Sequence, residues 1–237
     1  MKINGSEAVI KCLIEENVDT IYGYPGGAIM PIYDALYHYQ KEINHVLVRH
    51  EQGATHSAQG YSRSSGKVGV VFATSGPGAT NLITGIADAQ IDSTPMVCIT
   101  GQVASHLLGS DAFQETDIVG ISTPLTKWNF QVTRVEEIPE AIAKAFYIAK
   151  SGRPGPVLID ITKDAQFEMI DFKYEKCNKI RSYYPEPKTD ENTIDNAAEL
   201  INSAKKPFIV WGQGVIIAEA EKEFKSFIEK TGIPAAW

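Results

Sequence analysis

Short apolar runs alternate with helical stripes along the first 165 residues of the chain. TIYGY (20–24), HVLVR (45–49) and VGVVFA (68–73) have the length and β-branched content of buried strands, as do PMVCIT (95–100), KWNFQVT (127–133) and PVLIDI (156–161). Between them, Ala8, Val9, Cys12 and Leu13 share one helical face, with Asn4 and Glu7 spaced as a capping box. Ile138, Ile142, Ala145, Phe146 and Ala149 form a second stripe, closed by Gly152 and Pro154. Strand and helix in alternation predict an α/β domain over 1–165: a six-stranded, mostly parallel sheet with helices on both faces.

The pattern changes at 166–190, which is charged, carries Tyr and Pro, and ends in YYPEPKTDEN; it reads as a linker. A second strand–helix pattern follows over 191–237. Ile194, Ala197, Ala198 and Ile201 lie on one helical face, PFIVW (207–211) is a strand, and GQG precedes another helical stretch. A complete α/β domain takes roughly 100–150 residues, so 191–237 is expected to be the incomplete start of a second domain, with an uncovered apolar face.

Composition narrows the class without choosing a chemistry. The chain is 43% hydrophobic and 22% charged, with a formal charge of −7 and both signs mixed, so no basic patch points to nucleic acid. Lys11 and Glu15 interrupt the amino-terminal apolar stretch, which excludes a signal peptide there, and no run approaches the roughly 20 apolar residues of a membrane span. Cys12, Cys98 and Cys177 are odd in number and far apart, which argues against disulfides or zinc and for a cytoplasmic protein.

The loops after the strands carry the chemistry. GYPGGA (23–28), RHEQGA (49–54), ATSGPGATN (73–81) and TGQVASHLLGSDAFQETD (100–117) all fall at carboxyl ends, where open parallel sheets bind ligands. Two apparent nucleotide motifs fail. GYSRSSGKV has one residue too many between its glycines and Val68 where a P-loop needs Ser or Thr; GPGATN lacks the third glycine of a dinucleotide fingerprint.

Together with SGRPGPVLIDITKD (151–164), these motifs resemble the amino-terminal half of acetohydroxyacid synthase (acetolactate synthase) catalytic subunits, within the thiamine-diphosphate enzyme superfamily. The resemblance implies a pyrimidine-binding domain over 1–165 and the beginning of an FAD-associated central domain at 191–237. It implies thiamine diphosphate, Mg2+ bound by residues outside this chain, and FAD as cofactors. The implied reaction is decarboxylation of pyruvate and condensation with a second 2-keto acid, pyruvate or 2-ketobutyrate, in branched-chain amino-acid synthesis. A homodimer or homotetramer with a regulatory small subunit, in the cytoplasm, is implied as well.

By the same resemblance Glu51 is the carboxylate that shares a proton with ring nitrogen N1′ of thiamine; a carboxylate opening a helix is otherwise a dipole-stabilised end group. Tyr24, Pro25, Gly26, Thr74, Pro77 and Asn81 match positions around the aminopyrimidine ring. Phe113 and Gln114 match the pair beside the reacting carbon, Gln114 as a catalytic hydrogen-bonding group. Gly27, Ala28, Ala104 and Lys163 match the substrate channel, Ala104 standing where many members have Pro. Arg153, Gly212 and Gly214 match FAD contacts. Pyruvate oxidase or another 2-keto-acid decarboxylase is the alternative enzyme, and a non-catalytic nucleotide-binding module the alternative outside catalysis.

Overall fold

Side chains alternate between the faces of a strand, and in this sheet both faces are buried. In the computed structural model, which describes residues 1–237, Val70 and Phe72 enter one core while Val71 and Ala73 enter the other. Val97 and Ile99 against Met96 and Cys98 repeat the division, as do Val157 and Ile159 against Leu158. Burial on both faces is what makes these strands read as unbroken apolar runs.

The chain divides into two compact units, Met1–Glu186 and Pro187–Trp237. The first opens with β1 (Lys2–Asn4), α1 (Gly5–Glu15), β2 (Thr20–Gly23) and α2 (Met30–Tyr37). Next come β3 (Asn44–Leu47), α3 (Glu51–Ser65), β4 (Gly69–Ala73), the short α4 (Pro77–Thr80) and α5 (Ile83–Ile91). It closes with β5 (Met96–Gln102), α6 (Ile118–Ser122), β6 (Trp128–Val132), α7 (Ile138–Lys150), β7 (Pro156–Thr162), α8 (Lys163–Phe167) and β8 (Met169–Asp171). Six strands form one wholly parallel sheet in the order β3-β2-β4-β5-β7-β6, so the expected fold class is found, and each expected strand lies within two residues of its place.

One core joins the sheet to α1, α2 and α7; the other joins it to α3, α5 and α6. Small residues let α3 come close. A Cβ on Gly69 would lie 2.5 Å from the Ala58 carbonyl oxygen, and one on Gly85 of α5 would lie 1.9 Å from Thr55 Oγ1. At α1 only half of the expected capping box forms. Asn4 accepts from the Glu7 amide at 2.8 Å, while the Glu7 carboxylate takes the Tyr39 hydroxyl at 2.7 Å.

The antiparallel pair β1–β8 was not legible, because three residues per strand are too few to show a period. Residues 166–186, read from sequence as part of a linker, lie on the first unit. Ile170, Phe172, Tyr174, Ile180 and Tyr183 pack on the core carrying α1 and α7, and the Tyr174 hydroxyl donates to Glu16 at 2.8 Å. Single apolar residues set between charged ones half-bury here and leave a linker-like composition.

At the amino ends of the strands, Asp19 accepts from Lys67 and from the Tyr61 hydroxyl, which lowers its carboxyl to about 2. A depressed carboxyl adds stability above its unfolded value near 4, and that share is lost as pH falls through about 2. Asp19→Asn is therefore expected to flatten the dependence of the unfolding midpoint on pH between these limits. The side chain is half-exposed, so high salt should shrink the difference.

The second unit contains α9 (Glu191–Ser203), β9 (Ile209–Val210), α10 (Gln213–Ile217), α11 (Glu221–Thr231) and β10 (Ala235–Ala236), with β9 and β10 paired in parallel. Trp211 stacks on Trp237 at 5.3 Å and tilts against Phe224 at 5.1 Å. None of the three helices has a buried residue, and Leu200, Phe208 and Val210 remain exposed.

Candidate functional site

The strand order reverses at β2, which has β3 on one side and β4 on the other. Loops leaving β2 and β4 diverge there, and at such a switch point a crevice opens beyond the carboxyl ends of the strands. Thr74, leaving β4, bridges it. Its Oγ1 accepts from the Ala28 amide at 3.2 Å and ties the 23–28 loop to the 73–81 loop.

Two glycines allow the loops to close on that threonine. A Cβ at Gly26 would stand 2.6 Å from Thr74 Cβ; one at Gly78 would stand 2.7 Å from Thr74 Cγ2 and 3.2 Å from Glu51 Oε1. The walls of the crevice are therefore backbone, Thr74 and a carboxylate.

Glu51 is the first residue of α3. His50 is extended and caps the helix through Nδ1, which accepts from the Gln52 amide at 3.2 Å. The cap turns Glu51 inward, where it is 7% exposed. Its Oε2 accepts from Asn81 Nδ2 at 3.0 Å, whereas Oε1 faces Gly78 and takes no hydrogen bond from the chain. Behind it, burial and then the Glu51 charge raise the Tyr33 phenol, whose hydroxyl has no partner. Tyr33 could not be picked out beforehand, since one aromatic on α2 looks like core.

The 111–117 segment joins the crevice through backbone contact. Gly76 has φ 58°, and a Cβ there would lie 2.6 Å from the Gln114 carbonyl oxygen; Gln114 itself has φ 57°. Glu115 braces the segment by accepting from the amides of Gly109 and Ala112, and those bonds hold its carboxyl below the usual range. Gln114 is exposed, and Phe113 is 88% exposed at the rim. Tyr24 and Pro77 are also exposed, and Pro25 is half-buried.

Ala28 is fixed from the far side as well. A Cβ on Gly101 would meet its carbonyl oxygen at 2.4 Å, and Gln166 Nε2 donates to that oxygen at 2.9 Å. Gly27 has open space above it. Ala104 and Lys163 come together at the ends of β5 and β7, where the Lys163 amide approaches the Val103 carbonyl at 3.5 Å and Asp164 accepts from the Ser105 amide at 3.0 Å.

Not all the candidate residues converge. Arg153 precedes β7, on the opposite edge of the sheet from Glu51. Its guanidinium donates to Ser93 Oγ at 2.8 Å and to the carbonyls of Ile91 and Gln90, at 2.9 and 3.3 Å, beyond the end of α5. Gly212 and Gly214 belong to the second unit, Gly212 as the N-cap and Gly214 in the first turn of α10, where an added Cβ would meet nothing within 4 Å.

A parallel sheet with a buried, half-satisfied carboxylate and glycine walls at its switch point defines a class: an α/β domain with one acid facing a crevice beyond its strand ends. Comparison with known proteins identifies the family. Residues 3–121 match the thiamine pyrophosphate enzyme N-terminal TPP binding domain, and residues 194–236 match the thiamine pyrophosphate enzyme central domain. The chain belongs to the thiamine pyrophosphate enzyme family. It is 53% identical over 233 residues to the acetolactate synthase large subunit of Corynebacterium glutamicum, covering 98% of this chain and 37% of that protein. The acetolactate synthase large subunit of Buchnera aphidicola is 51% identical over 234 residues, covering 98% and 41%. The probable acetolactate synthase large subunit of Methanococcus aeolicus is 49% identical over 235 residues, covering 98% and 39%. The chain thus spans about two fifths of the length of the curated relatives it matches.

Proposed function

We propose that this chain is the amino-terminal part of an acetolactate synthase large subunit, which decarboxylates pyruvate and condenses the product with pyruvate or 2-ketobutyrate toward valine and isoleucine. The observation that carries this reading is Glu51: one oxygen is held by Asn81, and the other is open to a crevice walled by Gly26, Gly78 and Thr74. An aminopyrimidine fits such a site, because it is flat and offers a ring nitrogen to a carboxylate. When bound, thiamine diphosphate supplies the carbanion chemistry that breaks and makes bonds beside a carbonyl.

The chain's own groups prepare that chemistry. Asn81 fixes the carboxylate so that Glu51 holds a proton with N1′ of the pyrimidine. Tyr24, Pro25 and Pro77 flank the ring and keep water from it. Gln114 offers an amide to substrate oxygens, beside the apolar wall of Phe113, while Gly27, Ala28, Ala104 and Lys163 line the approach of a 2-keto acid.

Mg2+ belongs in this reading to residues outside this chain. FAD enters the reading from each unit separately: in the first, Arg153 keeps Nη1 free of hydrogen bonds, and in the second, Gly212 and Gly214 leave open space where a side chain would stand. The reading includes a cytoplasmic homodimer or homotetramer and, since relatives are named large subunits, a regulatory small subunit. No helix is long and apolar enough to cross a membrane.

The test is product analysis with the full-length protein, thiamine diphosphate, Mg2+ and FAD. Acetolactate from pyruvate is expected. Acetaldehyde alone, or hydrogen peroxide with acetyl phosphate, would move the protein to a decarboxylase or an oxidase.

A further inference from the structure

Asp160, in the middle of β7, is fully buried with no cation beside it. Strand register sets it between Thr100 of β5 and Gln131 of β6. Thr100 Oγ1 donates to Oδ1 at 2.6 Å; Gln102 Nε2 and Gln131 Nε2 donate to Oδ2 at 3.0 and 2.9 Å. Burial raises this carboxyl and the three donors oppose the rise. Three donors around one carboxyl suit the ionised group, which only accepts.

Of the three partners, Gln102 alone leads out of the core. Its Oε1 accepts from the Val103 amide at 2.9 Å, and Nε2 also donates to the Thr116 carbonyl at 3.0 Å. Every polar atom of this buried amide is thereby used, and its orientation is fixed. Thr116 lies two residues beyond Gln114, and Asp117 then caps α6 by accepting from the Gly120 amide at 2.8 Å. One amide thus connects the centre of the sheet to the segment that carries Phe113 and Gln114.

We propose that Gln102, held by Asp160, is a positioning residue that fixes segment 111–117 over the Glu51 crevice. What the segment does there rests on the acetolactate synthase reading; the tie itself does not. Asp160 anchors the amide, Gln102 sets where the Thr116 carbonyl lies, and the Gly76–Gln114 contact completes the placement. A rigid two-point attachment suits a rim that must hold a hydrogen-bonding amide in place.

Gln131 is the natural control. It gives Asp160 an equivalent bond but makes none to the 111–117 segment. Gln102→Met and Gln131→Met therefore each remove one donor to the same carboxyl, and only the first releases the segment. Amide hydrogen exchange in the 237-residue chain is expected to quicken at least ~10-fold at 112–117 in Gln102→Met and to stay within about twofold in Gln131→Met. In the full-length protein, turnover of Gln102→Met should fall about 10–100-fold with thiamine diphosphate affinity unchanged, while Gln131→Met stays near wild type.

Should the methionine variant not fold, Gln102→Asn is read in the same way. It keeps an amide in the site and withdraws it from Thr116. Equal exchange at 112–117 in the two positions' variants, or equal loss of turnover, would overturn the proposal and leave a polar core with no role at the rim. If the unmutated full-length protein makes no acetolactate, the functional reading fails, and the exchange contrast still decides whether Gln102 positions the segment.

Discussion

Glu51→Gln is expected to slow release of the C2 proton of bound thiamine diphosphate by about 10²–10⁴-fold, the range typical for a general acid–base group. The substitution is expected to keep the fold. Glutamine Oε1 can replace carboxylate Oε2 as acceptor for Asn81 Nδ2. The new NH2 then occupies the position of Oε1, facing Gly78, where a hydrogen-bond donor stands in place of an acceptor. On the proposed reading, the variant therefore loses the proton that Glu51 would share with N1′, and keeps the shape of the side chain and the tie to Asn81. The loss should fall on turnover more than on cofactor affinity, because the proposed reading assigns the diphosphate and its metal to residues outside this chain. Exchange of the C2 proton, followed by NMR in wild-type and Glu51→Gln holoenzyme, measures it. An unchanged rate, with a lowered unfolding midpoint, would return Glu51 to a carboxylate that merely stabilises the start of α3.

Legibility of the fold followed burial. Strands buried on both faces appear as apolar runs, so the six strands of the main sheet could be read in sequence, and α1 and α7 showed their stripes. Packing made by isolated residues could not be read, as with Phe172, Tyr174 and Tyr183, whose neighbours are charged. At the site, the position of the loops at the carboxyl ends of parallel strands marked where a ligand would sit, while Glu51, Thr74 and Asn81 were singled out by the family resemblance of RHEQGA and ATSGPGATN. Asp160 did not. It sits inside PVLIDI as one polar letter in a strand, and its partners Thr100, Gln102 and Gln131 are distant in sequence, so only strand order and register bring them together. Arg153 shows the opposite case. SGRPGP carries two glycines, as SGPG does, yet it precedes its strand, and that order alone places it on the other edge of the sheet.

Gly76→Ala is expected to be the most damaging single methyl at the crevice. Gly76 has φ 58° and ψ −120°, a geometry that side chains disfavour strongly and that glycine adopts freely. Its Cβ would also press on backbone, 2.6 Å from the Gln114 carbonyl oxygen, where no side-chain rotation relieves the contact. Backbone strain costs about 1–3 kcal/mol and overpacking a similar amount, so a loss of roughly 3–5 kcal/mol in unfolding free energy is expected. Relief of the contact requires the 73–81 loop and the 111–117 segment to part, which is expected to displace Gln114 from the crevice and lower turnover as well. Gly66→Ala separates strain from contact. Gly66 ends α3 at φ 72° with nothing within 4 Å of an added Cβ, so it should cost only the left-handed penalty of about 1–2 kcal/mol and leave turnover unchanged. Urea unfolding of both variants, with turnover of the full-length proteins, gives the comparison. If Gly76→Ala proves no worse than Gly66→Ala on either measure, backbone contact between the 73–81 loop and Gln114 is not what holds the rim of the site in place.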